Sequence, residues 1–466
     1  MKILVVTECF WPDIYSVNEI VEKLVQRSHQ VTVLTGLPDY TTSRIPAEFK
    51  HGRMRHHEYK GADVYRVPTI ARRHGPIWRS LSYLSFAFNG SLKARFHDFG
   101  DFDVIYVWEV SPVTMAVPAI TLSKRYHKPL FLYCMDIWPE CVKAMNIQEG
   151  TLAYRLIHAW TRRIYGRCDH IAVSSKPFYE YMERVNGISR ERMSYLPQFG
   201  DKALLERDTG KSTAGAEMGA EAGGAASDRV DFLFVGNIGK AQNLDCLLRA
   251  MTVFKVQEGD GRDEAPHACI SSATDVSGRD EASLGRIPAV HLHIVGGGSE
   301  YDAMVALAHE LGIDGIVTFY GPVPFQESIE YYSLADACVL TLDGSNHIGD
   351  TLPGKLQTYM AAGKPILAAA NGATAEIIAE AGCGACVPAG DHEAYGRILY
   401  DFATAQVTKS PNTSSQVDTL PTSITQASPD SSDYGANARR YFREHFMEEQ
   451  HFTELERILT RMIKET

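Results

Sequence analysis

The stretch LDGSNHIGDTLPGKLQTYMAAGKPILAAA, residues 342–370, decides how the rest of the chain is read. It runs from an apolar strand through a polar loop into a helix and then a second strand. Thr351 and Pro353 open the helix, with proline in a first turn where its missing N–H costs nothing. Leu356 and Met360 give one apolar face. Gly363 and Lys364-Pro365 stop the helix, and Ile366 to Ala370 reads as a buried parallel strand. The amides of Gly354, Lys355 and Leu356 have no partner inside such a helix and carry the positive end of its dipole, so the start suits an anion. Gly354 clears the approach and Lys355 adds a full charge. An ordinary helix start with a surface lysine fits the same pattern.

The bulk numbers narrow the class. A chain of 466 residues, 45% hydrophobic and 22% charged, is long enough for two cored α/β domains. A net charge of −11 argues against nucleic acid as a partner. Nine cysteines without a Cys-x-x-Cys pair, and no Asp-x-Asp at a strand end, imply neither structural zinc nor a resident metal or other cofactor. Met1-Lys2 leads into a strand and no apolar run reaches about 20 residues, so the expectation is cytoplasmic.

In the first half, Lys2–Thr7, a helix with Ile20, Val21, Leu24 and Val25 on one face, and Val31–Leu34 form a βαβ start. No Gly-x-Gly-x-x-Gly follows the first strand, which weakens a dehydrogenase reading. Ligands in open α/β sheets lie beyond the carboxyl ends of strands. Candidates there are Trp11, Tyr15 and Asn18 after the first strand, Glu109 after the strand Asp103–Trp108, and Asp136, Trp138 and Glu140 after Leu130–Cys134. Arg72, Arg73, Trp78 and Arg79 belong to a segment, 66–99, that mixes bases with aromatics. It reads either as a patch for an anionic membrane surface or as a core helix with a solvated basic end.

In the second half, Phe232–Val235 precedes a glycine turn with Gly236, Asn237, Lys240 and Gln242 that can cradle a phosphate. His291–Val295 leads into a second glycine turn at Gly296. Three polar, aperiodic segments, 208–229, 257–287 and 405–435, read as linker or disordered insertions. The domains expected are 1–200, a linker 201–230, a second domain 231–435, and a tail helix 436–466 crossing back to the first.

The run Thr358-Tyr359-Met360-Ala361-Ala362-Gly363-Lys364-Pro365 resembles the Glu-Tyr-Met-Ala-Ala-Gly-Lys-Pro signature of retaining GT-B glycosyltransferases of family four. Phe10-Trp11-Pro12-Asp13 and Asp136-Ile137-Trp138-Pro139-Glu140 resemble its WbuB-like branch, which makes bacterial O-antigen and capsule sugars. The resemblance implies a GT-B fold, two Rossmann-like doubly wound parallel-sheet domains facing across a cleft. It implies transfer from a nucleotide-sugar, expected to be UDP-linked, to a glycan or polyprenyl-diphosphate-linked acceptor on the first domain, with peripheral attachment to the cytoplasmic face of the membrane. By position, Asp350 stands for the family's sugar-binding glutamate and Thr358 for its ribose-binding one. Asn237 and Gln242 replace the arginine and lysine that hold the diphosphate, leaving Lys240 and Lys355 to do so. Catalysis then rests on Asp350, Lys355 and Asp136. Donor contacts are expected at Gly236, Asn237, Lys240, Gln242, Gly296, Thr351, Leu352, Pro353, Gly354 and Thr358, and acceptor contacts at Trp11, Tyr15, Asn18, Glu109, Trp138 and Glu140. A GT-B sugar-nucleotide epimerase and a non-enzymatic nucleotide-sugar-binding subunit are the alternatives.

Overall fold

A computed structural model describes residues 1–39, 44–72, 75–145, 147–206, 229–255, 288–344, 350–408 and 433–465. The three polar segments read as linker and insertions lie outside these residues over 207–228, 256–287 and 409–432. The chain divides into two units, Met1–Gln198 with Glu449–Thr466, and Phe199–Glu448.

The first unit is built on β1 (Lys2–Val6), β2 (Gln30–Thr35), β3 (His56–Tyr59), β4 (Ala62–Arg66), β5 (Val104–Glu109), β6 (Leu130–Cys134), β7 (His170–Val173) and β8 (Met193–Tyr195). They form one sheet in the order β3-β4-β2-β1-β5-β6-β7-β8, parallel except for the β3–β4 hairpin. β1, β5 and β6 are apolar along nearly their whole length and buried on both faces, as parallel strands covered by helices must be. Helices α1 (Ser16–Gln26), α2 (Pro76–Phe96), α3 (Val117–Tyr126), α4 (Leu152–Tyr165) and the single turn α5 (Phe178–Tyr181) connect them. The crossovers from β4 to β5, β5 to β6 and β6 to β7 all step in one direction across the sheet. Their right-handedness places α2, α3 and α4 on one face and α1 on the other. Phe86, Leu122 and Ile164 from those three helices share one core with Leu4, Ile105 and Leu132.

The second unit holds β9 (Arg229–Val235), β10 (Ala289–Val295), β11 (Val317–Gly321), β12 (Ala337–Thr341), β13 (Ile366–Ala369) and β14 (Gly384–Val387), all parallel, in the order β11-β10-β9-β12-β13-β14. Its helices are α6 (Leu244–Met251), α7 (Tyr301–Leu311), α8 (Phe325–Tyr331), α9 (Gly354–Ala362), α10 (Gly372–Ala381), α11 (His392–Thr408) and α12 (Tyr434–His445). A last helix, α13 (Glu448–Glu465), belongs to the first unit from Glu449 on. The sequence reading put the crossing at 436; it comes at Glu448, because Ala438, Tyr441 and Phe442 of α12 pack in the second unit's core. Within the first unit, Arg27 at the end of α1 holds α13 through Glu449 (2.7 Å) and Glu456 (2.8 Å).

Two details depart from the sequence reading. The quoted helix begins at Gly354, with Pro353 as its cap at φ −76° and ψ 130°, so the proline lies outside the first turn. β5 runs one residue further than expected, and Glu109 is its last residue, with no exposed surface.

Candidate functional site

Both sheets reverse direction once. In the second unit the chain leaves β9 toward β10 and later returns on the other side at β12, so the switch point lies between the carboxyl ends of β9 and β12. Helix α9 reaches this point through Tyr359, whose hydroxyl accepts from Val235 N–H (2.9 Å) and donates to Val235 O (3.2 Å) at the end of β9. Lys355 lies one turn earlier on the same helix face. That places Nζ 4.1 Å from the centre of the Phe234 ring and beside Gly236, where an added Cβ would sit 3.5 Å from it. Lys355 Nζ is buried and makes no hydrogen bond among the described residues. Burial without a counter-charge pushes its pKa down to about 7.

The glycine turns open the same place. Gly236 N–H donates to Val295 O and Gly296 N–H to Gly321 O, both at 2.9 Å, which draws the turns after β9, β10 and β11 together. Gly236 (φ 145°) and Gly296 (φ 142°) occupy backbone that only glycine adopts freely. A Cβ on Gly296 would lie 1.9 Å from Gly236 O, whereas one on Gly354 meets nothing within 4 Å. Gly296→Ala should therefore lower the melting temperature, by an amount equivalent to ~2–4 kcal/mol, while Gly354→Ala should leave it within ~1 kcal/mol of the parent. Calorimetric melting of both variants checks this; equal melting would mean that the turn relaxes freely.

Other expected donor residues are placed less simply. Gln242 Oε1 accepts from Asn237 Nδ2 (3.2 Å) and from Gly239 N–H (3.2 Å), so the pair standing where cations were expected ties the turn to itself. Lys240 is exposed on the single turn Lys240–Gln242. Thr358 donates its hydroxyl back to Gly354 O (3.1 Å). Leu356 N–H donates to Pro353 O (3.0 Å), which removes one of the three amides expected at the helix start and leaves those of Gly354 and Lys355. Asp350, Thr351, Leu352 and Pro353 are partly exposed in the turn leading into α9.

In the first unit the switch point lies between β1 and β5. Tyr15 sets its ring edge-on to Trp108, 5.8 Å between centres. Asp136 Oδ2 accepts from Ser111 N–H (3.0 Å) and Oγ (2.9 Å), and Trp138 Nε1 donates to the same hydroxyl (3.2 Å). Burial raises the Asp136 pKa against those two bonds. Burial, then the Asp136 charge, push Glu109 far above the usual carboxylate range, so Glu109 is a neutral core acid that no acceptor reaches. Glu140 accepts from Tyr181 (2.8 Å) and Tyr154 (3.2 Å) and pairs with Lys143 (2.7 Å), a structural knot behind the turn. Asn18 likewise closes the 11–18 loop, accepting from Trp11 N–H (2.9 Å) and donating to Asp13 O (2.7 Å). Trp11 itself is 37% exposed.

Sequence reasoning missed one group. Glu8, just past β1, is pushed up to about 8 by burial and then by Asp39, against the Arg72 charge and the Ser82 hydroxyl. Arg72 donates its backbone N–H to Asp39 and its guanidinium to Tyr83, both at 2.5 Å. The signal was available, since Glu8 follows a strand directly, but its partners come from three distant segments.

The two halves match known families separately. Residues 15–202 match the profile of Glycosyltransferase Family 4, and residues 220–411 that of glycosyl transferases group 1. Among solved structures, sucrose-phosphate synthase from Thermosynechococcus elongatus superposes with a TM-score of 0.68 at 16% identity over 100% of both chains. Alr3699/HepE of Anabaena, solved in complex with UDP, does so at 0.63 and 13% identity, covering 99% of this chain and 100% of that one. WaaG, a glycosyltransferase of lipopolysaccharide biosynthesis, gives 0.57 and 16% identity over 95% of each. No curated protein matches the chain.

Proposed function

We propose that this chain, a family-four-like glycosyltransferase of the GT-B fold, moves a sugar with retention from a nucleotide-sugar to a glycan or polyprenyl-diphosphate-linked acceptor in the making of a cell-surface polysaccharide. The observation that carries this reading is Lys355. A buried amine with no partner, at a helix start and beside two glycine turns, forms a site that an anion from solution completes. HepE, solved with UDP-glucose, supports a nucleotide-sugar as that anion.

In the proposed step the bond from the sugar C1 to the β-phosphate oxygen breaks and its electron pair leaves with the nucleoside diphosphate. The acceptor oxygen bonds to C1 on the same face and gives its proton to the departing phosphate oxygen. Lys355 and the first amides of α9 bind the leaving group more strongly as its charge grows, which is where catalysis gains. Asp350, five positions before Lys355, is assigned to the sugar. Asp136 and Trp138 beside Ser111 are assigned to the acceptor on the first unit.

The test is proton linkage. The pyrophosphate diester of a nucleotide-sugar keeps its charge above about pH 5, whereas free Lys355 titrates near 7 and the bound anion raises its pKa. Binding should therefore take up close to one proton at about pH 8. Affinity should be highest below pH ~7 and fall by up to about tenfold per pH unit above it, until the raised pKa is passed. Titration calorimetry in buffers of different ionisation enthalpy reads the uptake; binding that takes up no proton there and ignores pH overturns the assignment.

A further inference from the structure

Helix α2 is apolar on two opposite sides. One side, with Tyr83, Phe86, Ala87 and Ala94, is packed into the first unit's core. The other carries Ile77 (73% exposed), Leu81, Leu84, Phe88 (69%), Leu92 and Phe96 (72%). These fall at successive steps of four, three, four, four and four residues, which is one continuous stripe on a helix. The stripe runs the length of 21 residues, about 30 Å. Scattered exposed leucines need no explanation, but a stripe of this length does.

A second stripe lies on α4, where Leu152 (70%), Leu156 (63%) and Trp160 (39%) recur every four residues. Arg155 and Arg163 fall on the same side and are exposed. The two helices share one face of the sheet, with α3 in that layer packed on α2. Charge on this layer is one-sided. Across the whole chain, Asp and Glu outnumber Lys and Arg by 57 to 46. Yet α2, α3 and α4 contain no acidic residue at all and carry three, two and three basic ones. The opposite face differs: α1 and α13 hold Glu19, Glu22, Glu449, Glu454 and Glu456.

We infer that the α2 and α4 stripes dock the first unit onto an anionic lipid bilayer, with the apolar side chains entering the headgroup–acyl boundary and the flanking bases meeting lipid phosphates. Long apolar stripes interleaved with arginine, on the one acid-free layer of an acidic protein, match the chemistry of that interface. No described helix is long and apolar enough to cross a membrane, so the attachment lies along the surface. This revises the expected patch. Arg72 is turned inward, bonded to Tyr83 and Asp39, and Arg73 lies outside the described residues. Attachment through α2 and α4 is independent of the catalytic reading, because none of these residues belongs to the donor or acceptor sites.

Flotation of the full chain with phosphatidylcholine vesicles, with and without phosphatidylglycerol, tests it. Binding to the mixed vesicles is expected, weakened but not abolished by high salt, and at least about tenfold weaker to phosphatidylcholine alone. Leu84→Glu and Phe88→Glu should each cost about tenfold or more, and Arg155→Ala and Arg163→Ala about fivefold each. All four sites are exposed, so melting and nucleotide binding should not change. Absence of parent binding to anionic vesicles at low salt, or undiminished binding by Phe88→Glu, overturns the inference. So does a dimer in sedimentation equilibrium that Phe88→Glu dissociates while the parent ignores vesicles.

Discussion

Lys355→Met should bind a nucleoside diphosphate about a hundredfold more weakly than the parent, and should nevertheless melt at a higher temperature. The first effect follows from losing a charge-assisted contact, worth roughly 1.5–3 kcal/mol, at a site where Asn237 and Gln242 are engaged with each other. The second follows from linkage. The amine falls from an ordinary 10.5 to about 7 on folding. Between those values the unfolded chain binds the extra proton, so stability is lost as pH falls from about 10.5, and the loss is complete below about 7. A thioether of similar length carries no such cost. At about pH 6 the variant should gain ~2–4 kcal/mol, and at about pH 10 the gain should nearly vanish. Calorimetric titration and melting at both pH values read the two effects. Parent-like affinity would remove α9 as the diphosphate site, and unchanged melting at the lower pH would show the amine to be solvated.

Asp350→Asn should divide the measurements differently. Its turnover should fall by about 10²–10³, as when a group that stabilises transition-state charge is removed. Its affinity for the nucleoside diphosphate should stay within about twofold, because the contact assigned to it is with the sugar, on which positive charge develops as the bond to phosphate opens. Initial rates beside titration calorimetry separate the two quantities. A parallel collapse of affinity and rate would place Asp350 on the diphosphate or in the structure of the turn. Rates equal to the parent would remove it from the reaction.

The parallel strands were legible because both faces of each are covered, so the code is a bare apolar run: Leu130–Cys134 was read to the residue. The β3–β4 hairpin was not, since its sequence from His56 to Arg66 is polar and takes its shape from pairing at a sheet edge. The importance of residues 342–370 was also legible, through a helix start, a glycine and a lysine in a recurring order. What local sequence could not supply was the environment of that lysine. Its burial depends on Phe234 and Gly236, more than a hundred positions earlier, and on the Tyr359 clamp that sets the height of the helix. The same blindness explains Glu109. One more residue of strand pairing, Glu109 with Cys134, turned an expected surface acid into a core one. Glu8 is the converse case, since Asp39, Arg72 and Ser82 reach it from separate segments.

The division of the chain at Gln198 and again at Glu448 has a consequence for biogenesis. The second unit is one uninterrupted segment, so everything it needs is present once Glu448 has been synthesised. The first unit is made first yet lacks α13 until the very end, and with it the bonds from Arg27, His29 and Pro197 to Glu456, Glu449 and His451. While the ribosome is still working, Phe131 and Tyr133 on that face of the sheet wait for their cover. Completion therefore runs against the order of synthesis: the later-made unit can close before the earlier one, which stays dependent on chaperones for longest.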